Sequence, residues 1–419
     1  MTSLISWGNL SLRWKLLSGF LAIVAVLIVV GGLGWWNIGT MQQSATTVRH
    51  TLPLADATME MNLAMANNQI MVMEIIESEM QSQTDELLAE VESNAKDFNI
   101  YNEALLNGGN TPQGYIWATT DTELAAKMER VKDKHNRNFI PSIREVYERV
   151  SKRHVLEKEI KNQMTVFQET YQSLFDQAEA FESAVKDEVA SKLASGSSAK
   201  DLFSKENTWA DMSMEIKVDV GRIRTTIERI AQPLSLTEGN LEGLKKEFND
   251  GVKDVETWFM ALEKGGETDE GYIARLTSMS VKSVLNKLTA DFYKHYTPAA
   301  EEFIAKHGEL VKNEAEISVL DVRADEIAQE LVGEFELAEE IVKGIADVAY
   351  TESDNTADAA GKQSIVGVVL GGILAVFLGY FIARAIERPI VNMVNTIRNV
   401  AENKDLTLKV EANTTDEIG

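Results

Sequence analysis

Two arginines seven residues apart, Arg222 and Arg229, are the side chains in this sequence best suited to holding a ligand. On a helix that spacing puts both guanidiniums on one face, where their N–H forks match a carboxylate. Arg224 and Thr226 lie beside them and complete the candidate ligand-binding set. In a chain with 65 acidic and 41 basic residues, such arginines also find partners among their own aspartates and glutamates, and that use competes with the first.

Other chemistry is sparse. There is no cysteine, so disulfides, thiolate nucleophiles and cysteine metal sites are excluded. The five histidines form no i, i+4 pair, and neither a phosphate-binding glycine loop nor a nucleophile elbow occurs. The sequence therefore predicts no enzyme, no cofactor and no metal centre. Met59, Met61, Met65, Met71 and Met73 carry thioethers that suit Cu(I), although methionine more often fills cores. Tyr115 and Tyr272 each follow a glycine turn and are expected to plug the end of a bundle.

These residues must be positioned by helices. Prolines number only six, strand-like alternation is hard to find, and apolar residues recur at helical spacing, which predicts an all-α exterior. Ile160, Met164, Phe167, Tyr171, Leu174, Ala178, Phe181 and Val185 step by fours and threes along one seam. A second seam runs through Leu310, Ile317, Ala324, Leu331, Ala338 and Ile345, with Leu320, Ile327, Ile341 and Val348 between. The two halves match at an offset of 157: Gly108, Gly109, Thr111, Gly114, Tyr115, Ile116 and Pro141 recur as Gly265, Gly266, Thr268, Gly271, Tyr272, Ile273 and Pro298. One module is used twice, over 37–195 and 196–363, joined by the Ser/Gly linker at 194–198. Each module is expected to hold four helices (about 38–81, 84–107, 115–138 and 142–194; about 202–231, 236–264, 272–296 and 299–361), making a double four-helix bundle.

Two uncharged apolar runs flank this region, 16–36 and 364–383, each long enough to cross a bilayer as a helix. Arg13 and Lys15 precede the first; Arg384 and Arg388 follow the second. The positive-inside bias then puts residues 1–15 and 384–419 in the cytoplasm and about 37–363 in the periplasm of an inner membrane. The region between the spans carries the acidity, −25 against −24 for the whole chain, since residues before it sum to +2 and those after it to −1, a surface that repels nucleic acid and anionic headgroups. Gly367 and Gly371 form a G-x-x-x-G face that allows close helix approach.

After the second span, Pro389 opens a short amphipathic helix with Ile390, Met393, Ile397 and Val400 on one side. Lys404-Asp405-Leu406-Thr407 and the closing Asp416-Glu417-Ile418-Gly419 closely resemble the connector and second-helix start of a HAMP domain, here partial. Two spans around a helical exterior followed by HAMP resemble a methyl-accepting chemotaxis receptor, with an exterior similar in kind to helical bimodular sensors. That resemblance implies a homodimer in membrane lipid, a small-molecule chemoeffector, and signal coupling through Pro389, Asp405, Leu406, Thr407 and Glu417 to cytoplasmic partners. The ligand expected is small and polar, a carboxylate above all. A sensor histidine kinase shares this layout, and an ectodomain that recognises a periplasmic protein is the alternative of another class.

Overall fold

The computed structural model describes residues 11–232 and 237–403. Among these residues the chain is all-α, apart from two small hairpins. Its elements in order are α1 (Leu12–Glu77), α2 (Gln81–Asn107), β1 (Gly109–Thr111), β2 (Gly114–Ile116), α3 (Thr122–Lys134), a π-helical turn (His135–Phe139) and α4 (Ile140–Ala194). There follow α5 (Ala199–Ser204), α6 (Glu206–Ile230), α7 (Glu238–Lys264), β3 (Gly266–Thr268), β4 (Gly271–Ile273), α8 (Met279–Asp291), a second π-turn (Phe292–Tyr296) and α9 (Thr297–Asn403).

The repeat seen in the sequence is reproduced element by element. From α2 to the start of α4, each boundary recurs 157 residues later, from α7 to the start of α9. Even the capping contacts repeat: Gly108 N donates to Ala104 O and Gly265 N to Ala261 O, both at 2.8 Å. Both glycines have φ +76°, a conformation open to glycine at little cost. Thr119 N then reaches Leu105 O, and Leu276 N reaches Leu262 O, again at 2.8 Å.

Four expectations change. First, the third helices do not begin at 115 and 272; antiparallel hairpins pairing Gly109 with Ile116 and Gly266 with Ile273 occupy those places. Second, Ile116 and Ile273 are buried at the hairpins, whereas Tyr115 and Tyr272 are half-exposed, so isoleucine rather than tyrosine plugs the bundle. Third, no break separates the expected third and fourth helices. The π-turn leads straight into α4, with Pro141 at its start; the widened i→i+5 ladder just upstream accommodates a residue that has no amide to donate. Fourth, along α9 the expected Leu310, Ile317, Ala324, Leu331 and Ala338 are buried, but Ala328, Phe335 and Val342 fill the stripe between them in place of Ile327, Ile341 and Val348.

With α3 and α4 fused, each module supplies only three rods of its own, and the fourth comes from the other module. Contacts divide the chain into two compact units, residues 61–99 with 129–334, and residues 1–60 with 100–128 and 335–419. Within the first of these, Phe167, Leu174, Ala178, Phe181 and Val185 of α4 share one core with α6, α7, α8 and the start of α9. Phe167 and Tyr296 ring centroids lie 5.4 Å apart, and Gln163 bonds Glu302 at 2.8 Å. Conversely, α9 beyond Leu310 returns to module 1: Asn313 Nδ2 donates to Arg149 O at 2.8 Å, Arg149 pairs with Glu316 at 2.6 Å, and Lys134 pairs with Glu330 at 2.7 Å.

In the other unit α1 and α9 each carry a stretch long and apolar enough to cross a membrane. Side chains such as Leu27, Ile28, Val368 and Val376 stand exposed there. The two stretches approach closely at glycines. A Cβ on Gly371 would lie 2.8 Å from Val30 Cγ2, and one on Gly19 would overlap the side chain of Ile382. Just beyond the apolar stretches, buried Asn37 clasps α9 by donating to Ala360 O (3.3 Å) and Ser364 Oγ (3.1 Å).

Candidate functional site

Helix α6 has an apolar face, Trp209, Met212, Ile216, Val220, Ile223, Ile227 and Ile230, that is buried in the module 2 core. This fixes Arg222 and Arg229 on the flank that meets α7. Both are half-exposed, and each is met by a carboxylate of α7: Arg222 by Asp254 and Arg229 by Glu247. Those acids are also seven residues apart, so the contact is a two-rung ladder between neighbouring helices. Arg222 lies in addition 3.3 Å from Asp219 of its own helix.

Arg224 points elsewhere. Its Nε donates to Glu228 at 2.7 Å, and its guanidinium sits 4.7 Å from the Tyr171 ring centroid. Thr226 is buried and spends its hydroxyl on Arg222 O at 3.2 Å. Arg222 and Arg229 thus share a face while Arg224 and Thr226 do not join them.

At the Arg229 end, α6 and α7 leave a polar notch of about 430 Å³ lined by Arg229, Gln232, Gly239, Asn240, Gly243, Leu244 and Glu247. A Cβ at Gly239 or Gly243 would meet nothing within 4 Å, so neither glycine is packed against a neighbouring element there. At the Arg222 end, the site is closed by a buried acid. Asp219 accepts from Trp258 Nε1 at 2.7 Å. Burial raises its pKa, the Trp258 bond and Arg222 opposing. Sequence reasoning missed Asp219, Trp258, Glu247 and Asp254; only the matched seven-residue spacing of the two acids hinted at the ladder.

Pro389 lies inside α9, which continues through it without a break in helical hydrogen bonding large enough to end the element. Asp405, Leu406, Thr407 and Glu417 lie outside the described residues. Of the methionines, Met61 and Met65 are fully buried while Met59 and Met73 face outward, which does not gather their sulfurs around one point. Among the described residues no group of His, Cys, Asp or Glu is arranged to hold a metal ion.

Residues 9–106 match the family described as a four helix bundle sensory module for signal transduction. A protein named as a sensory transducer from Acetivibrio thermocellus is 30% identical over 174 residues, 40% of this chain, and the chain spans 31% of that relative's length. Among solved structures, a TorS sensor domain in complex with TorT in the presence of TMAO aligns with 73% of this chain and 99% of its own, at a TM-score of 0.44 and 11% identity. On these matches the chain is similar to sensory transducers, and residues 9–106 carry the likeness to their four-helix-bundle sensory module.

Proposed function

We propose that the chain is the sensing and membrane-crossing part of a bacterial transmembrane chemoreceptor that detects a small polar ligand, a carboxylate, in the periplasm. The observation that carries this reading is α9. One helix of 107 residues starts in the module 2 core, passes through an apolar stretch and continues beyond Pro389. A rod of this kind transmits displacement along its axis. The glycine approaches at Gly371 and Gly19 let it lie close to α1, where small relative movements change packing directly. In this reading both termini are cytoplasmic, about 37–363 is periplasmic, the receptor is a homodimer in the inner membrane, and a partial HAMP domain at 384–419 passes the signal to cytoplasmic partners.

The ligand carboxylate binds in the notch at Arg229, with Arg222 as the second anchor, by exchanging with Glu247. Exchange replaces one ion pair by another, so it costs less than stripping a guanidinium bare. Long-range repulsion from the acidic surface is screened beyond about 8 Å at physiological salt. Titrating the full chain in nanodiscs with a panel of organic and amino acids, read by thermal shift and calorimetry, tests this. Arg229→Ala should weaken the best acid by on the order of 30-fold or more, and Glu247→Gln should tighten it by freeing the arginine. Unchanged affinity in both variants, with folding intact, would return the arginines to a purely structural ladder.

A further inference from the structure

Where α1 and α9 leave their apolar stretches they part. The gap between them is a groove of about 810 Å³, lined by Trp36, Asn37 and Thr40 of α1 and by residues of α9 between Asp347 and Gln363. That α9 wall covers about 24 Å at 1.5 Å per residue. Spread over such a length, the volume makes a slender channel.

The lining is acidic and rich in acceptors. Asp347 and Glu352 line the groove, and no basic residue does. Neither acid has an ion pair or hydrogen bond among the described residues, unlike Asp358 of the same helix, which takes Lys362 at 2.6 Å. Asn37 is 5% exposed, and its Nδ2 is spent on Ala360 O at 3.3 Å and Ser364 Oγ at 3.1 Å. Those two bonds fix which end of the amide is left over. Oδ1 accepts from none of the described residues and is left to the groove that Asn37 lines. An acceptor held in this way takes an N–H from a guest, or a water in its absence. Trp36 lines the groove too, and an indole is the ring that attracts a cation best. Val348, Ala359 and Ala360 supply apolar contact between the polar groups.

Unpaired acids, a fixed carbonyl and an indole along one slender channel suit a flexible chain that carries several positive charges. We infer that the groove binds a linear polyamine of the spermidine class. One ammonium donates to Asn37 Oδ1 beside Trp36; another pairs with Glu352, about 12 Å along the axis from Ala360, and Asp347 lies beyond it. The methylenes between them pack on the alanines and Val348. A second copy of the chain is the competing occupant, but a two-fold contact here would set unpaired acids against their own copies, which like charges oppose. This goes beyond the carboxylate notch, which α6 and α7 build and which prefers the opposite charge.

The full chain in nanodiscs of phosphatidylcholine, which has no net charge to attract a polyamine, is titrated calorimetrically with spermidine at about 0.15 M ionic strength. Magnesium is the control for bare charge. Saturable binding of one spermidine per chain is expected, and Asp347→Asn with Glu352→Gln should weaken it about tenfold. Asn37→Leu should weaken it as well. Asp354→Asn should not, because that exposed acid stands two residues from Glu352 but does not line the groove. Absence of saturable binding means that the groove holds water or a second copy. An affinity unchanged by the double variant places the polyamine elsewhere, and an equal loss in Asp354→Asn reduces the effect to general surface attraction. Magnesium binding as tightly, with the same dependence on the two acids, makes this a plain cation site. Each of these four results overturns the inference.

Discussion

His135 is buried against Phe98 with its charge suppressed, so folding and protonation oppose each other at this residue. Burial lowers its pKa from 6.5 to about 4, the bond to Asn136 opposing. Above pH 6.5 neither state binds the proton; between 6.5 and about 4 only the unfolded chain does, so stability falls as pH falls through that window. The loss should reach about 3 kcal/mol by pH 4, and urea unfolding of wild type against His135→Phe at pH 7 and pH 4.5 should show the steeper decline in wild type. Trp258 offers a second residue-scale test. Trp258→Phe removes the donor to Asp219 and leaves a buried acceptor bare, which should destabilise by about 1–3 kcal/mol in the same assay. The arginine face of α6 was legible in the sequence because spacing within one helix is local information. Its carboxylate partners were not, since Glu247 and Asp254 lie on a different helix, and only packing decides which residues of two helices meet.

Helix α7 lies so close to α6 that no side chain fits between them at Gly251. A Cβ there would sit 2.9 Å from Ile223 Cγ1. Gly251→Ala gains up to about 1 kcal/mol of helix propensity but forces apart a packed interface costing about 1–3 kcal/mol, so a net loss is expected. Gly344→Ala in α9, where a Cβ meets nothing within 4 Å, should instead stabilise by about 0.5–1 kcal/mol; thermal melts of the two variants should move in opposite directions. Helix existence and the repeat were legible because apolar spacing and paired glycines are strong local signals. The hairpins were not expected, although Gly-x-Thr-x-x-Gly-Tyr-Ile occurs twice and spells a two-residue turn between short strands. The α9 seam through Leu310, Ile317, Ala324, Leu331 and Ala338 was legible, but the residues between were misplaced, because Ala328 looks too small for a core, whereas close-packed helices favour small side chains where they approach.

At the scale of the molecule, Pro389 interrupts the amide ladder of a helix that otherwise runs from Thr297 to Asn403. Pro389→Ala restores a donor and stiffens the rod there. Under the function proposed above, the variant, assayed with a chemoreceptor signalling region fused after Gly419, should shift basal output while ligand affinity stays at the wild-type value; altered affinity with unchanged output would contradict that role. The exchanged fourth rods bear on how the protein is made. When a ribosome has released α4, the seam through Phe167, Leu174 and Phe181 still has no core to enter, because Phe259, Phe292 and Phe303 have yet to be translated. Module 1 waits in turn for Asn313 and the α9 residues after it. Neither half can close first, and at about 5–20 residues per second the nascent chain carries a bare apolar seam for many seconds, which makes it a strong client for chaperones that hold unfolded chains during synthesis.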